Sequence, residues 1–178
     1  AYIAHFGILE STVRQLRALK YTGKILIGGP ATSIFKEKLL SQYPEIDYIL
    51  LHEAEQTIVP LVEYLLDNKK NIRAIKNLIY RQADGTVLSN TEDMNENVCL
   101  DSFPIPDRSF LEAYYRQGIY NSLNVANSSD YIITSRGCVG NCHFCMSSKQ
   151  KYRARSPQNV LYELKYLKAL GRKYIDIV

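Results

Sequence analysis

Three times in the first seventy residues a short apolar run gives way to a segment whose apolar residues recur at helical spacing. Residues 2–6, 24–27 and 48–51 are the runs. The segments between them place Val13, Leu16 and Leu19, then Ile34, Phe35, Leu39 and Leu40, then Ile58, Leu61, Val62, Leu65 and Leu66 on single helix faces. Ser11 or Thr12, Thr32 or Ser33, and Thr57 are the expected helix caps, and Gly23 and Pro44 the stops. With Thr57 as cap, Pro60 falls in the first helical turn, where its missing N–H costs nothing. Strand-helix units with connections this short predict a doubly wound α/β layer on a parallel sheet.

The pattern changes after Asn68. Residues 77–81 and 86–89 flank Ala83-Asp84-Gly85 and predict a β-hairpin at the edge of a first domain spanning residues 1–89. Residues 90–130 are polar, then punctuated by Pro104 and Pro106, and read as a linker with an irregular segment. A second domain over residues 131–178 opens with a strand at 131–135. A helix follows from Pro157 to Leu170, capped by Ser156 and stopped by Gly171, and residues 174–178 read as a further parallel strand.

Between the strand at 131–135 and that helix lie Cys138, Cys142 and Cys145, in Cys-x-x-x-Cys-x-x-Cys spacing. Three thiolates this close in sequence can converge on one metal centre and leave one coordination position open. A loop after a parallel strand also lies at the carboxyl edge, where ligands of such sheets gather. Iron-sulfur ligation is the leading expectation. A structural zinc site is the alternative and needs a fourth ligand, for which His143 and Cys99 are the nearest donors. Four cysteines with three in one loop do not form a disulfide framework, and this usage suits a reducing compartment, the cytoplasm by default. The apolar runs are too short to span a bilayer. Net charge is +4, with eight Lys/Arg against Glu163 and Asp176 from Met146 onward. A solvated helix face accounts for that basic tail, and with no Trp and scattered Tyr, nucleic-acid binding has little support.

The stretch Cys138-Val139-Gly140-Asn141-Cys142-His143-Phe144-Cys145, after Thr134-Ser135-Arg136-Gly137, resembles the signature of the radical S-adenosylmethionine superfamily. The resemblance implies a 4Fe-4S cluster held by Cys138, Cys142 and Cys145, whose fourth iron chelates S-adenosylmethionine. One-electron reduction then releases a 5'-deoxyadenosyl radical that abstracts hydrogen from a substrate. It also implies Phe144 beside the adenine, and an electron donor such as flavodoxin or ferredoxin. Residues 25–30, 44–49, 52–57, 101–108 and 153–157 resemble the subfamily with an N-terminal cobalamin-binding domain. That likeness implies a Rossmann-type cobalamin-binding layer, with Gly28 and Gly29 letting the backbone approach the nucleotide tail, followed by the first βα unit of a TIM-type radical barrel.

The chain departs from the subfamily in two places. It has His52-Glu53-Ala54-Glu55 where the subfamily often has Gly-Glu-Gly-Glu, and it has no Asp-x-His-x-x-Gly motif, which many members also lack. The expectation is an internal fragment of a radical enzyme, inactive by itself, whose substrate is set by barrel segments outside it. A non-catalytic zinc-binding module and a corrinoid-binding carrier are the competing readings. Arg153 and Arg155 are candidates to meet an anion near the cluster, or else surface residues. Glu53 and Glu55 sit where a ligand could reach them.

Overall fold

Side-chain alternation in a single buried strand organises the first half of the molecule. The computed structural model describes residues 6–67, 71–94, 97–117, 129–145, 147 and 150–178, and the chain divides into two compact units, Ala1–Asn95 and Glu96–Val178. In the first, β1 (Leu26–Ile27) pairs in parallel with β2 (Tyr48–Leu50), matching Leu26 to Tyr48 and Ile27 to Ile49. On the other side of β2 lies β3 (Leu78–Arg81), antiparallel, and then β4 (Val87–Ser89), giving the order β1-β2-β3-β4. Successive strand residues face opposite ways. Ile49 and Leu51 therefore join Ile27 and Ile79 in one core with Val13, Leu39 and Leu40, while Tyr48 and Leu50 join Leu78, Tyr80 and Leu61 in another. Strand β2 is buried at every position because helices cover both faces. The helices are α1 (Phe6–Ala18) and α3 (Glu37–Gln42) on one side and α4 (Glu55–Asp67) on the other.

The expected α/β layer is thus present, as a mixed sheet. The hairpin docks directly against β2, and its turn is built as the sequence indicated: Gly85 has φ 87°, Thr86 N–H donates to Asp84 Oδ1 at 2.9 Å, and Gln82 N–H to the Thr86 carbonyl at 2.8 Å.

Local details differ from expectation for identifiable reasons. Of the strand expected at 2–6, residues 1–5 lie outside the described residues and Phe6 already begins α1. Helix α1 starts well before Ser11 because Leu9, Val13 and Leu16 form one stripe against the core, leaving Leu19 80% exposed. The helix expected after Gly28 and Gly29 is two, α2 (Pro30–Phe35) and α3, broken at Lys36, where φ is 47°. Thr57 does not cap α4, which begins two residues earlier. Its hydroxyl donates to the Lys76 carbonyl at 3.1 Å, so Pro60 lies inside the helix and omits the bond residue 60 would give residue 56.

In the second unit β5 (Ser129–Ile132) and β8 (Tyr174–Ile177) pair in parallel, Ser129 opposite Tyr174, and α6 (Pro157–Ala169) lies between them in sequence. This is the expected βα unit and following strand. Ser156 caps α6 by accepting from Asn159 N–H at 3.2 Å, with Pro157 at the first position. Residues 97–117 are integrated into this unit: Leu100 and Tyr115 are buried, Asp101 accepts from Ser156 N–H, and the short helix α5 (Glu112–Arg116) carries Tyr115. Of the stretch expected as a linker with an irregular segment, residues 90–130, positions 95–96 and 118–128 lie outside the described residues, and the rest is divided. Asn90 and Asp93 bond within the first unit, and residues 97–117 within the second.

Replacing Ile49, fully buried between Ile27 and Ile79, tests the two-sided core. Ile49→Ala should destabilise the chain by about 2–5 kcal/mol in urea unfolding, whereas a loss well under 1 kcal/mol would mean that β2 is not sandwiched as described.

Candidate metal centre

The cysteine loop leaves the carboxyl end of β5 through a narrow neck. Thr134 N–H donates to the Val178 carbonyl at 2.9 Å, extending the pairing with β8 by one residue. Then β6 (Ser135–Arg136) turns aside and pairs antiparallel with β7 (Arg153–Ala154), matching Ser135 to Ala154 and Arg136 to Arg153. Arg155 N–H donates back to the Thr134 carbonyl at 2.9 Å. A two-residue ribbon thus closes the base of the segment that carries the three cysteines. Gly137 makes the crossing possible. It has φ 76°, and a Cβ there would collide with the backbone carbonyl of Lys151 on the returning limb.

Within the loop Cys138 and Cys142 are exposed and Cys145 is half-buried; all are free of disulfides. Cys138 Sγ accepts from Gly140 N–H at 3.2 Å, and Cys145 N–H donates to the Cys142 carbonyl at 3.1 Å. Three thiols in one loop are the donor set of an iron-sulfur cluster, and by kind these residues fit one. Among the described residues, no three His, Cys, Asp or Glu side chains are gathered at metal-holding spacing. The loop presents its ligands without yet converging them. Phe144 is 92% exposed and Val139 89%, so neither is core packing. His143 and Cys99 are exposed as well.

Arg153 and Arg155 do not act as free surface cations. Arg153 Nη1 donates to the Val98 carbonyl at 3.2 Å. Arg155 donates to Glu163 at 2.5 Å, Asn159 Oδ1 at 2.7 Å and the Ile133 carbonyl at 2.8 Å. Sequence reasoning missed Glu163, 1% exposed on α6, and Arg108, in the stretch expected to be linker, whose guanidinium meets Glu163 at 2.7 Å and Asp130 at 3.1 Å. Burial alone would lower the Arg108 pKa, but the bonds to Glu163 and Asp130 outweigh it and hold the guanidinium charged.

In the first unit, Gly28 and Gly29 stand at the carboxyl end of β1, where Gly29 (φ 105°) precedes Pro30 of α2. Thr32 Oγ1 donates to the Gly29 and Leu50 carbonyls, each at 2.8 Å. His52 occupies the left-handed region, φ 53°, at the place where a glycine is common in the resembling subfamily. That conformation costs a β-carbon residue about 1–2 kcal/mol, and bonds hold it: Ser33 Oγ accepts from His52 N–H at 2.8 Å, and Nε2 meets Glu92 Oε2 at 3.1 Å. Lys36 Nζ, at the helix break, meets Glu92 Oε1 at 2.6 Å. A cleft of about 430 Å³ in this unit lies elsewhere, between Gln56 and Pro60 of α4 and the stretch from Asn71 to Asn77.

No protein-family model matches the chain. Among curated proteins it is 29% identical over 148 residues to an uncharacterized methyltransferase of Pyrococcus horikoshii, covering 80% of this chain and 30% of that protein. It is 28% identical over 177 residues to a putative methylthiotransferase of Methanocaldococcus jannaschii, covering 96% and 34%. It is also 27% identical over 163 residues to the cytidylyl-2-hydroxyethylphosphonate methyltransferase of Streptomyces wedmorensis, covering 78% and 30%. The chain thus spans about a third of the length of the curated relatives it matches. In structure it is similar to the cobalamin-dependent S-adenosylmethionine radical enzyme OxsB, solved with aqua-cobalamin and S-adenosylmethionine bound (TM-score 0.64, 20% identity, 98% of this chain and 23% of that one). It is likewise similar to the radical S-adenosylmethionine methyltransferase TsrM of Kitasatospora setae, solved with cobalamin and a [4Fe-4S] cluster bound (TM-score 0.64, 16% identity, 98% and 33%). At these identities the structural likeness is one of fold. The fold is thus one that solved cobalamin-dependent and radical S-adenosylmethionine enzymes also have. Among the described residues no helix is long and apolar enough to cross a membrane.

The Glu92 contacts carry a pH dependence. The Lys36 hydrogen bond, opposed by desolvation and assisted by His52, holds the Glu92 carboxyl below its ordinary value. A depressed carboxylate contributes stability that is complete above its unfolded value of about 4.3 and is lost as pH falls through the folded one. Because Lys36 and Glu92 are each about a third exposed, the contribution is about 0.2–1 kcal/mol. In acid urea titrations of the full chain, Glu92→Gln should flatten the fall in unfolding midpoint below about pH 4.3; a profile identical to wild type would contradict the bonding described.

Proposed function

We propose that this chain is part of a radical S-adenosylmethionine enzyme whose complete form carries out cobalamin-dependent methyl transfer or a related reaction, and that Cys138, Cys142 and Cys145 ligate a 4Fe-4S cluster. The observation that carries the reading is the placement of the three thiols. They sit in one loop, at the carboxyl end of a parallel strand, with the loop's base closed by the β6-β7 ribbon. The identities of the curated relatives as methyltransferases and a methylthiotransferase, and the fold shared with OxsB and TsrM, support it.

In this reading a bound cluster supplies an electron at low potential and an iron with a free position for S-adenosylmethionine. The chain's own residues supply the rest of the local setting. The three cysteines are the ligands, and holding one cluster draws together side chains that the loop alone leaves apart. Phe144, exposed between Cys142 and Cys145, is the residue this reading assigns to an adenine face, where stacking excludes water from one side of the nucleoside. The ribbon and Gly137 fix where the loop begins and ends. In this reading Gly28 and Gly29, at the carboxyl end of β1, are where the backbone meets a corrinoid tail. The electron comes from a flavodoxin- or ferredoxin-type donor, and the thiolate ligands suit the reducing cytoplasm. Substrate selection belongs to parts of the whole protein beyond these residues.

Anaerobic reconstitution of the 178-residue chain with iron and sulfide, followed by metal and sulfide analysis, tests the reading. The expected result is uptake of iron and sulfide with broad visible absorption, abolished by Cys138→Ala, Cys142→Ala or Cys145→Ala. Zinc bound stoichiometrically with no iron uptake would instead identify a structural zinc module and overturn the proposal.

A further inference from the structure

The buried charges of the second unit are arranged around the strand that feeds the cysteine loop. The two oxygens of Glu163 are divided between two guanidiniums: Oε1 meets Arg108 Nη2 at 2.7 Å and Oε2 meets Arg155 Nη1 at 2.5 Å. Each guanidinium also donates to a main-chain carbonyl of the strand leading to the loop, Arg108 to Tyr131 at 3.0 Å and Arg155 to Ile133 at 2.8 Å. Carbonyls two residues apart point to the same edge of a strand, and the one between them, of Ile132, points the other way and accepts from Val178 N–H at 2.9 Å. One edge of this strand is therefore held by β8, and the other by two arginines that a single carboxylate keeps in register. Arg155 also closes the neck through its own N–H to Thr134.

We propose that Glu163, through Arg155 and Arg108, is a positioning residue for the cysteine loop: it sets where the loop's two ends stand and so how well its three thiols hold a cluster. The proposal rests on the cluster ligation put forward above. It deepens that reading by assigning a role to a carboxylate that touches neither the thiols nor, being 1% exposed, any ligand at the surface. A carboxylate with both oxygens engaged by separate guanidiniums cannot be replaced by an amide without loss, because Gln accepts at one atom only and leaves one arginine facing an N–H donor. Truncating Arg155 instead severs only the loop side, leaving the Glu163 to Arg108 bond in place. Elsewhere in the unit Glu112 pairs with Arg172 at 2.5 Å, away from these carbonyls, and serves as the control.

The experiment compares wild type, Glu163→Gln, Arg155→Gln and Glu112→Gln in the full chain with two readouts. In metal-free protein, amide hydrogen exchange is followed at Arg155 and Cys138, whose N–H groups bond across the neck to Thr134 and Gln150. In reconstituted protein, iron retention against a chelator and the cluster's midpoint potential are measured. The expected result is faster exchange at the neck in Glu163→Gln and Arg155→Gln, unchanged exchange in the first unit, about 10–100-fold weaker iron retention and a shifted potential, with Glu112→Gln holding iron like wild type. If Glu163→Gln does not fold, Arg155→Gln decides. Wild-type neck exchange and iron retention in the loop-side variants would overturn the proposal, as would equal iron loss in Glu112→Gln, which would mark a general loss of stability. Failure of the wild type to take up iron would sink the cluster reading alone, because the exchange arm would still test the positioning.

Discussion

Two carboxylates in the second unit, Asp130 and Glu163, are each about 1% exposed, and the unit can fold only where guanidiniums reach them. An ion left unpaired in such a place costs about 3–5 kcal/mol. The structure meets this with a ladder of alternating sign. Arg155 pairs with Glu163, Glu163 with Arg108, Arg108 with Asp130, Asp130 with Arg172, and Arg172 with Glu112. Three positive and three negative groups leave it neutral. Tyr115 completes it, donating to Asp130 at 2.7 Å while its ring lies 3.5 Å beneath the Arg172 guanidinium. The ladder ties residues 108–112, β5, the residue just past β7, α6 and the start of the β8 approach into one body. Replacing such a network by apolar side chains is often neutral in stability. What this one does that apolar contacts could not is bond the free edge of the strand ahead of the cysteine loop.

The local signals in the sequence translated where packing had one obvious solution. The short apolar runs and helical patterns around residues 24–66 gave β1, β2 and the helices on both faces, since burial of Ile49 and Leu50 on opposite sides is written in consecutive apolar residues. The Ala83-Asp84-Gly85 turn and the Ser156-Pro157 start of α6 were equally local. The break at Lys36 was not, and the side chain that Lys36 meets there, Glu92, lies 56 residues away. The ribbon β6-β7 escaped notice because two-residue strands carry no period, and its one signal was Gly137, which only the returning Lys151 backbone explains. The charge ladder was invisible for the same reason. Its pairs are separated by up to 60 residues, and a basic segment seen alone reads as solvated.

For the candidate metal centre, the three thiols and their spacing were legible and the surroundings of their loop were not. Cys138, Cys142 and Cys145 could be named from spacing alone, whereas the close approach at Gly137 and the contacts among Arg155, Glu163 and Arg108 are known only from the fold. The first unit shows the same division. Gly28 and Gly29 were evident at the end of β1, but the left-handed His52 held by Ser33 and Glu92 is a tertiary arrangement, at a position where the resembling subfamily often has glycine.

On the proposed reading, the three-cysteine loop leaves one iron open to S-adenosylmethionine. The decisive measurement is electron paramagnetic resonance of the anaerobically reconstituted and reduced chain, recorded with and without S-adenosylmethionine. The expected result is a reduced-cluster signal whose g values change when S-adenosylmethionine is added. A reduced cluster whose spectrum is the same in its presence and absence would rule the open iron out.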